Sequence, residues 1–446
     1  MKKLFLFAIA SLLVTSCQND DSSTDSSFKM KAAGADYTTA CSLPVTVVSG
    51  NITTNTTWTN DRVWAISGVL RVKDGAKLTI QAGTFIKGVP LVGGGATGVL
   101  VITKTGQIDA QGTLAAPVVF TSYKLLDCDA STVAAPGDFG GVVLLGDAPT
   151  NTGVFTNVIE GLGDQSELSD FYYGGTNSAH DAGDLNYVRI EYAGRILNEV
   201  TGVEINGLTF GGVGNGTVVD HIQVSYGRDD SYEWFGGTVN ASHLVSFAPD
   251  DDNFDFDNGY TGSITKAIAI ADQNSTHSVS GTSPDSNGIE LDNNAGGTVT
   301  TLITKPVISQ LSIIGVSTVG SASATPRTGA SAYENAIHVR RAGEINLSSA
   351  TVTGYVTGIR WEAPSLSTNS TWGALSIQAY TDPVLPAIGL GFGSSTSIAT
   401  SGSTWNWGFT QPFFNVAGFS PSAGATTGAF ATEPNWTNTW TKFSGF

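Results

Sequence analysis

Acidic residues recur in this chain at positions that would let them act together. Glu233, Asp255 and Glu290 hold equivalent places in three short segments, and Asp257 and Asp292 lie two positions further along. Asp229, Asp230, Asp250, Asp251, Asp252 and Asp285 fall in the turns just before them. If the segments stack as neighbouring strands, equivalent carboxylates sit about 4.8 Å apart. Each such pair repels by about 0.9 kcal/mol in water and by about 3.5 kcal/mol at an effective dielectric of 20. Three in a row, with more in the turns, call for a counter-charge. One solution is Ca²⁺, which takes carboxylates, Asn side chains and turn carbonyls as ligands; Asp230, Glu233, Asp255 and Asp257 are the residues placed to hold it. The other is a solvated face, with acids capping turns while Arg340, Arg341 and Arg360 neutralise the later segments. No contiguous Asp-x-Asp-x-Asp-Gly loop is present, so only the fold could assemble a calcium site.

The same acids could do acid–base work. Paired carboxylates hydrolyse glycosides, and Asp229-Asp230, or Asp251-Asp252 with Asp255, would supply such a pair. A lyase would add a basic residue, Arg340 or Arg360, beside the cation, yet nothing marks either out. His180, His221, His243, His277 and His338 show no metal-ligand spacing. No Gly-x-Ser-x-Gly elbow is visible, and Gly93-Gly94-Gly95 and Gly211-Gly212 lack the Lys-Ser or Lys-Thr of a phosphate loop. No catalytic residue is assigned.

The elements that must position these acids form a repeat. Five segments align: Ser231–Phe235, Asn253–Asp257, Gly288–Asp292, Ala336–Arg340 and Gly358–Glu362, with an earlier copy at Gly202–Asn206. Their second positions are 22, 35, 48 and 22 residues apart. A coil near 22 residues, lengthened by insertions or by an unaligned extra coil, predicts a right-handed parallel β-helix. Tyr232, Phe254, Ile289, Ile337 and Ile359 would stack inward, as would Trp234, Phe256, Leu291, Val339 and Trp361, leaving the alternate positions to solvent. Val69–Val72, Lys77–Ile80 and Thr84–Lys87 read as the three strands of one coil. Residues 41–400 form the solenoid in this reading, with Asn51–Val63 closing its start. The aromatic-rich tail 401–446, which holds Trp405, Trp407, Trp436 and Trp440, would cap its end; a sugar-stacking platform is the sharper alternative.

Composition agrees. The chain has 446 residues, 54 of them Gly, with 41% hydrophobic and 13% charged residues. That is too apolar for disorder, and its Gly, Thr, Ser and Val do not build long helices. A net charge of −17 argues against a nucleic-acid partner. Three cysteines are too few for a disulfide scaffold; Cys41 and Cys128 are as compatible with buried thiols as with a bond.

Residues 1–16 read as an export signal, with Lys2 and Lys3 before an apolar run too short to span a bilayer. Val14-Thr15-Ser16-Cys17 resembles a bacterial lipobox, which implies fatty acyl chains such as palmitate on Cys17. Residues 17–40 would follow as a flexible tether. Its acidic start, Gln18 to Ser27, resembles the export signal of Bacteroidota lipoproteins carried to the outer leaflet.

A family resemblance covers much of residues 51–260. It is carried by Asn51–Trp58, Leu78–Gly88, Gly137–Gly146, Asn206–Gly214, Asp229–Val239 and Asp252–Tyr260. These stretches resemble a family of Bacteroidota surface and secreted proteins with a pectin-lyase-like β-helix. The resemblance implies the fold and an envelope location, and no activity. Family members that use a C-terminal sorting domain differ from this chain, where the lipid would replace that route. Against the related polygalacturonases, Gly-His-Gly and Arg-Ile-Lys are missing after the acids. The expectation is an all-β, lipid-anchored outer-membrane protein exposed at the cell surface. Its acidic face, Asp229, Asp230, Glu233, Asp252, Asp255, Asp257, Glu290 and Asp292, would bind a glycan, a nutrient or an envelope partner such as an outer-membrane transporter. The alternative is an enzyme acting on extracellular polysaccharide, a glycoside hydrolase or lyase.

Overall fold

Short apolar alternations broken by Gly, Asn and Asp make strands joined by tight turns. The structure, a computed structural model, describes residues 35–90, 98–194, 205–272, 277–280, 283–315, 333–362, 369–386, 391–392, 396–400 and 427–443. The export signal, Cys17 and the 401–426 part of the tail lie outside the described residues. A 23-stranded sheet dominates, and its strands pair in parallel with the strand one coil away. Two small antiparallel ribbons, Asn157–Val158 with Tyr172–Tyr173 and Val279–Ser280 with Ser283–Pro284, are side features. The chain is therefore an all-β parallel β-helix. One coil consists of Val63–Val72, Lys77–Ile80 and Phe85–Gly88, close to the three strands expected.

The central ladder has the expected register. Tyr232 pairs with Phe254 and Phe254 with Ile289. Glu290 pairs with His338, and Ile337 with Ile359. The long intervals are thus loop insertions, not a hidden coil. Inside, Trp234 stacks on Phe210 at 5.4 Å and on Phe256 at 4.7 Å, while Tyr232 lies 5.3 Å from Phe254. Such stacks add about 0.5–1.5 kcal/mol each to the area they bury. Where coils approach most closely only glycine fits: a Cβ on Gly183, at φ +104°, would come within 1.8 Å of the Ile108 carbonyl.

Two expectations change. The rung before Tyr232–Phe235 is Leu208–Gly211, not Gly202–Asn206. The Val-Glu-Ile pattern of residues 203–205 imitates the later rungs, whereas the true rung carries Thr209 where they carry an acid. Asn51–Val63 also joins the ladder instead of closing it: Asn51 and Ile52 pair with Arg71 and Val72, and Thr56–Trp58 pairs with Lys77–Ile80.

The flank is built on bends. Tyr187, His221, His243, Lys266, Gln310 and Ser349 take φ between 49° and 59° at one corner of successive coils. The described end of the tail follows this corner in reverse chain order. Gly428 N–H donates to the Ser349 carbonyl, Thr432 to Gln310, and Glu433 pairs with Lys266. Trp436 packs edge-on to His243 and Trp440 edge-on to His221. In residues 427–443 the expected cap is a strap along the side, and its buried Trp436 and Trp440 present no platform to a sugar.

The strap ends beside helix α1, Ala35–Ala40. Tyr37 donates to Glu191 at 2.6 Å, Glu191 pairs with Arg189 at 3.0 Å, and Lys442 lies over the Tyr37 ring. Cys41 and Cys128 form a disulfide with Cα atoms 5.3 Å apart, which settles the open question of their state and pins α1 to the solenoid. Trp440 is fully buried in this flank. Trp440→Ala should cost about 3–5 kcal/mol in chemical denaturation; a loss below about 1 kcal/mol would show that the strap adds little to the fold.

Candidate functional site

Because the rungs are in register, the outward positions form one column: Val143, Thr209, Glu233, Asp255, Glu290, His338 and Arg360. Its early part is apolar and covered. Ile159, Leu162, Phe171 and Tyr173 pack on Val99, Val101, Val143 and Leu145. Its later part is acidic. Asp230, Glu233 and Asp255 bring one carboxylate oxygen each within 4.8 Å of one another. The triads Asp229–Asp230–Asp251 and Asp252–Asp255–Glu290 do the same, so seven carboxylates make one continuous cluster.

The cluster is largely withdrawn from solvent, contrary to the expectation for alternate positions, with Asp229, Asp251 and Asp255 half-buried and the other four acids buried. Asp230 is 6% exposed, Glu233 5%, Asp252 4% and Glu290 7%. Tyr173, at the end of the covering insertion, is buried close enough to Asp257 and Glu233 to feel their charge. Burial pushes the carboxyls of Asp230, Glu233, Asp251, Asp252 and Asp255 well above the usual carboxylate range, and neighbouring carboxylates push them further. Asp229 is raised to about 6, chiefly by burial, with Arg228 pulling it back.

Of the two sequence readings, the one in which the acids are satisfied by the protein itself holds in part. The turn acids do accept backbone N–H groups, but from the next coil and not from their own turn: the Asp252 N–H donates to Asp230 Oδ1 at 2.8 Å, and the Asn287 N–H donates to Asp252. Neutralisation by arginine is real at one end. Arg340 pairs with Glu290 and, at 2.9 Å, with Asp292, which Arg341 meets at 2.7 Å. Arg360 is taken by Glu334 and Glu362. His338 beside Glu290 is held down to about 4, first by burial and then by Arg340, and so adds no charge at neutral pH.

Of the expected cation ligands, Asp230, Glu233 and Asp255 converge, while Asp257 stands in the adjacent column. Asp257 accepts the Asn258 N–H and is raised to about 7 by burial and Asp292. Asp292 likewise serves the arginines. Asn206 and Thr209 escaped the sequence reading. Asn206 donates to Glu233, and Thr209 is its ladder neighbour. Asn206 Oδ1, Thr209 Oγ1 and Asp255 Oδ1 are buried without a hydrogen-bond partner, the pattern oxygen ligands show when a cation completes them. Placing the preceding rung at Leu208 would have revealed both. The histidines also need correction: Asp220, His221 and His243 offer ligand atoms within 4.8 Å of one another, because 22 residues is one coil.

Raised folded-state carboxyls bind protons that the unfolded chain has released. Their stabilisation is therefore full below the ordinary carboxylate range and is lost as pH rises through about 6 and 7, the positions of Asp229 and Asp257. In chelator, the melting temperature should fall between pH 4.5 and 8; a rise over that range would contradict a buried, repelling cluster. Arg340→Ala, which strips buried Glu290 of its ion-pair partner and leaves Asp292 with Arg341 alone, should destabilise by about 3–5 kcal/mol in denaturant titration.

A protein-family model described as a pectate-lyase-like beta helix domain matches residues 50–441. No curated protein and no solved structure matches the chain.

Proposed function

The chain belongs to the pectate-lyase-like β-helix domain family, and from that premise we propose that it is a cation-dependent binding protein of the bacterial cell surface. In this reading Cys17 carries the lipid that anchors it to the outer membrane, the residues between Cys17 and helix α1 tether it, since Ala35–Ala40 are docked on the solenoid and not free as the expected tether 17–40 required, and the acidic face holds Ca²⁺. The ligand is a polar glycan, a nutrient or an envelope protein, such as a transporter beside the anchor. One observation carries the proposal: seven carboxylates, four of them buried, converge, with Arg340 at one end and Arg228 beside Asp229 as the arginines that act on them. At that spacing and burial, repulsion is several-fold stronger than at a solvated surface.

The residues present fit a hard dication. Asp230, Glu233 and Asp255 would hold it, with the unpartnered oxygens of Asn206 and Thr209 one coil earlier and Asp229, Asp251, Asp252 and Glu290 flanking. When bound, a dication would offset part of the column's charge and join neighbouring coils through their side chains. One dication does not balance seven acids. The raised carboxyls keep protons, or a second ion sits towards Asp229 and Asp251.

A binding role suits this face better than catalysis does. Arg340 is committed to two carboxylates, which removes it as a free base. Release of reducing ends or unsaturated sugars from a polysaccharide by the purified protein would overturn this preference for binding.

Calcium titration followed by melting temperature is the direct test. The wild-type melt should rise with Ca²⁺ and fall with chelator. Asp255→Asn should melt higher than wild type in chelator and gain less from Ca²⁺. A melt indifferent to both Ca²⁺ and chelator would sink the cation reading.

A further inference from the structure

The stack of coils begins with an open end. Val45–Ile52 pairs in parallel with Val63–Val72, and Thr56–Trp58 with Lys77–Ile80. Among the described residues neither strand has a ladder on its other side, so backbone N–H and C=O groups face outward there. The interior is open at the same place. Val48 and Ile52 are half-buried, whereas Ile66 and Val72, their ladder partners one coil on, are fully buried. On the outer side of the same strand, Val45 is 49% exposed and Val47 59%.

Charge selects the occupant. Residues 41–60 hold no charged side chain, in a chain of net charge −17. Arg62 and Arg71, which reach Thr46 and Asn51 from the next coil, already pair with Asp61 and with Glu167 and Asp170. Two copies of so acidic a chain repel, and this end is where their approach is opposed least. Val45–Ser49 keeps unbroken register with Val63–Ser67 and carries no Lys or Pro, the residues that commonly guard an open edge. The chain's own preceding segment is delivered elsewhere. Tyr37 of α1 reaches Glu191, on a strand four places along the stack from Val45–Ile52, about 19 Å away at 4.8 Å per strand. Residues 18–27 hold no apolar side chain with which to cover a core.

We propose that a second copy of this chain covers the open end, the two Val45–Ser49 strands pairing antiparallel about a two-fold axis. Such an interface uses the same patch on both copies. The antiparallel arrangement is the one that keeps both inward faces on the same side, so the two half-open interiors close on each other and both edges gain a ladder. The acidic face lies further along each rod, on the coils from Tyr232 onward, and stays free for its own ligand.

Sedimentation of the full chain, solubilised in detergent, is the test. With a Kd in the micromolar range, the weak end of specific association, wild type should be dimeric at about 50 μM and monomeric at about 0.1 μM. Val47→Lys puts a charge on the edge at an exposed position. It should weaken association by about tenfold or more and leave the melting temperature of the monomer unchanged; Val45→Lys should do the same. Val299→Lys, at an exposed loop valine, and Asp255→Asn, in the acidic cluster, should associate like wild type, which separates this result from the cation reading. A monomeric wild type at about 50 μM, or valine variants at the edge that associate as wild type does, would overturn the proposal. So would an equal loss in Val299→Lys. A monomeric wild type whose melt falls with Val47→Lys would assign the end to residues 18–34 of the same chain instead.

Discussion

Every feature of this molecule answers to one constraint. In a parallel β-helix each outward side chain lies one strand spacing from its equivalent in the next coil, so whatever the sequence repeats becomes a column. Apolar repeats make a column that another segment must cover, as Tyr173 and its neighbours cover Val101 and Val143. Aromatic repeats inside make the stack from Phe210 through Trp234 to Phe256. Acidic repeats make a column of like charges, and no local side-chain adjustment can separate Glu233 from Asp255 while their strands remain paired. The charge must be met by protons, arginines or a cation.

Legibility followed the same physics. The segments from Ser231 to Glu362 could be aligned because a 22-residue period with two inward apolar positions is written in neighbouring residues. Their register in the structure is the one the alignment implies. The burial of the acids was not legible. It depends on an insertion, residues 147–173, whose docking on an outward face leaves no periodic trace. Thr209 breaks the acidic pattern, so the rung at Leu208 was passed over in favour of a better imitation five residues earlier. The pairing of His221 with His243 was in principle readable, since their separation is one coil; metal motifs sought at helix or loop spacings do not include that interval.

The flank shows how a solenoid gains contacts between distant parts of its chain. Coils interact only with their neighbours, which makes a rod liable to fray. Here a single strap touches the corners of several coils, from Ser349 down to Tyr187, and ends against α1, which a disulfide holds to Cys128. The aromatic residues of the tail signalled burial correctly. Which surface they bury against is a matter of chain path, which composition does not encode.

The account stands or falls on what lies between Asp230, Glu233 and Asp255. The electron density there, in a crystal grown with millimolar Ca²⁺, decides it. A cation held by six to eight oxygens at about 2.3–2.6 Å is the predicted result. Carboxyls hydrogen-bonded directly to one another, with no ion among them, would show that protons alone satisfy the column and would contradict it.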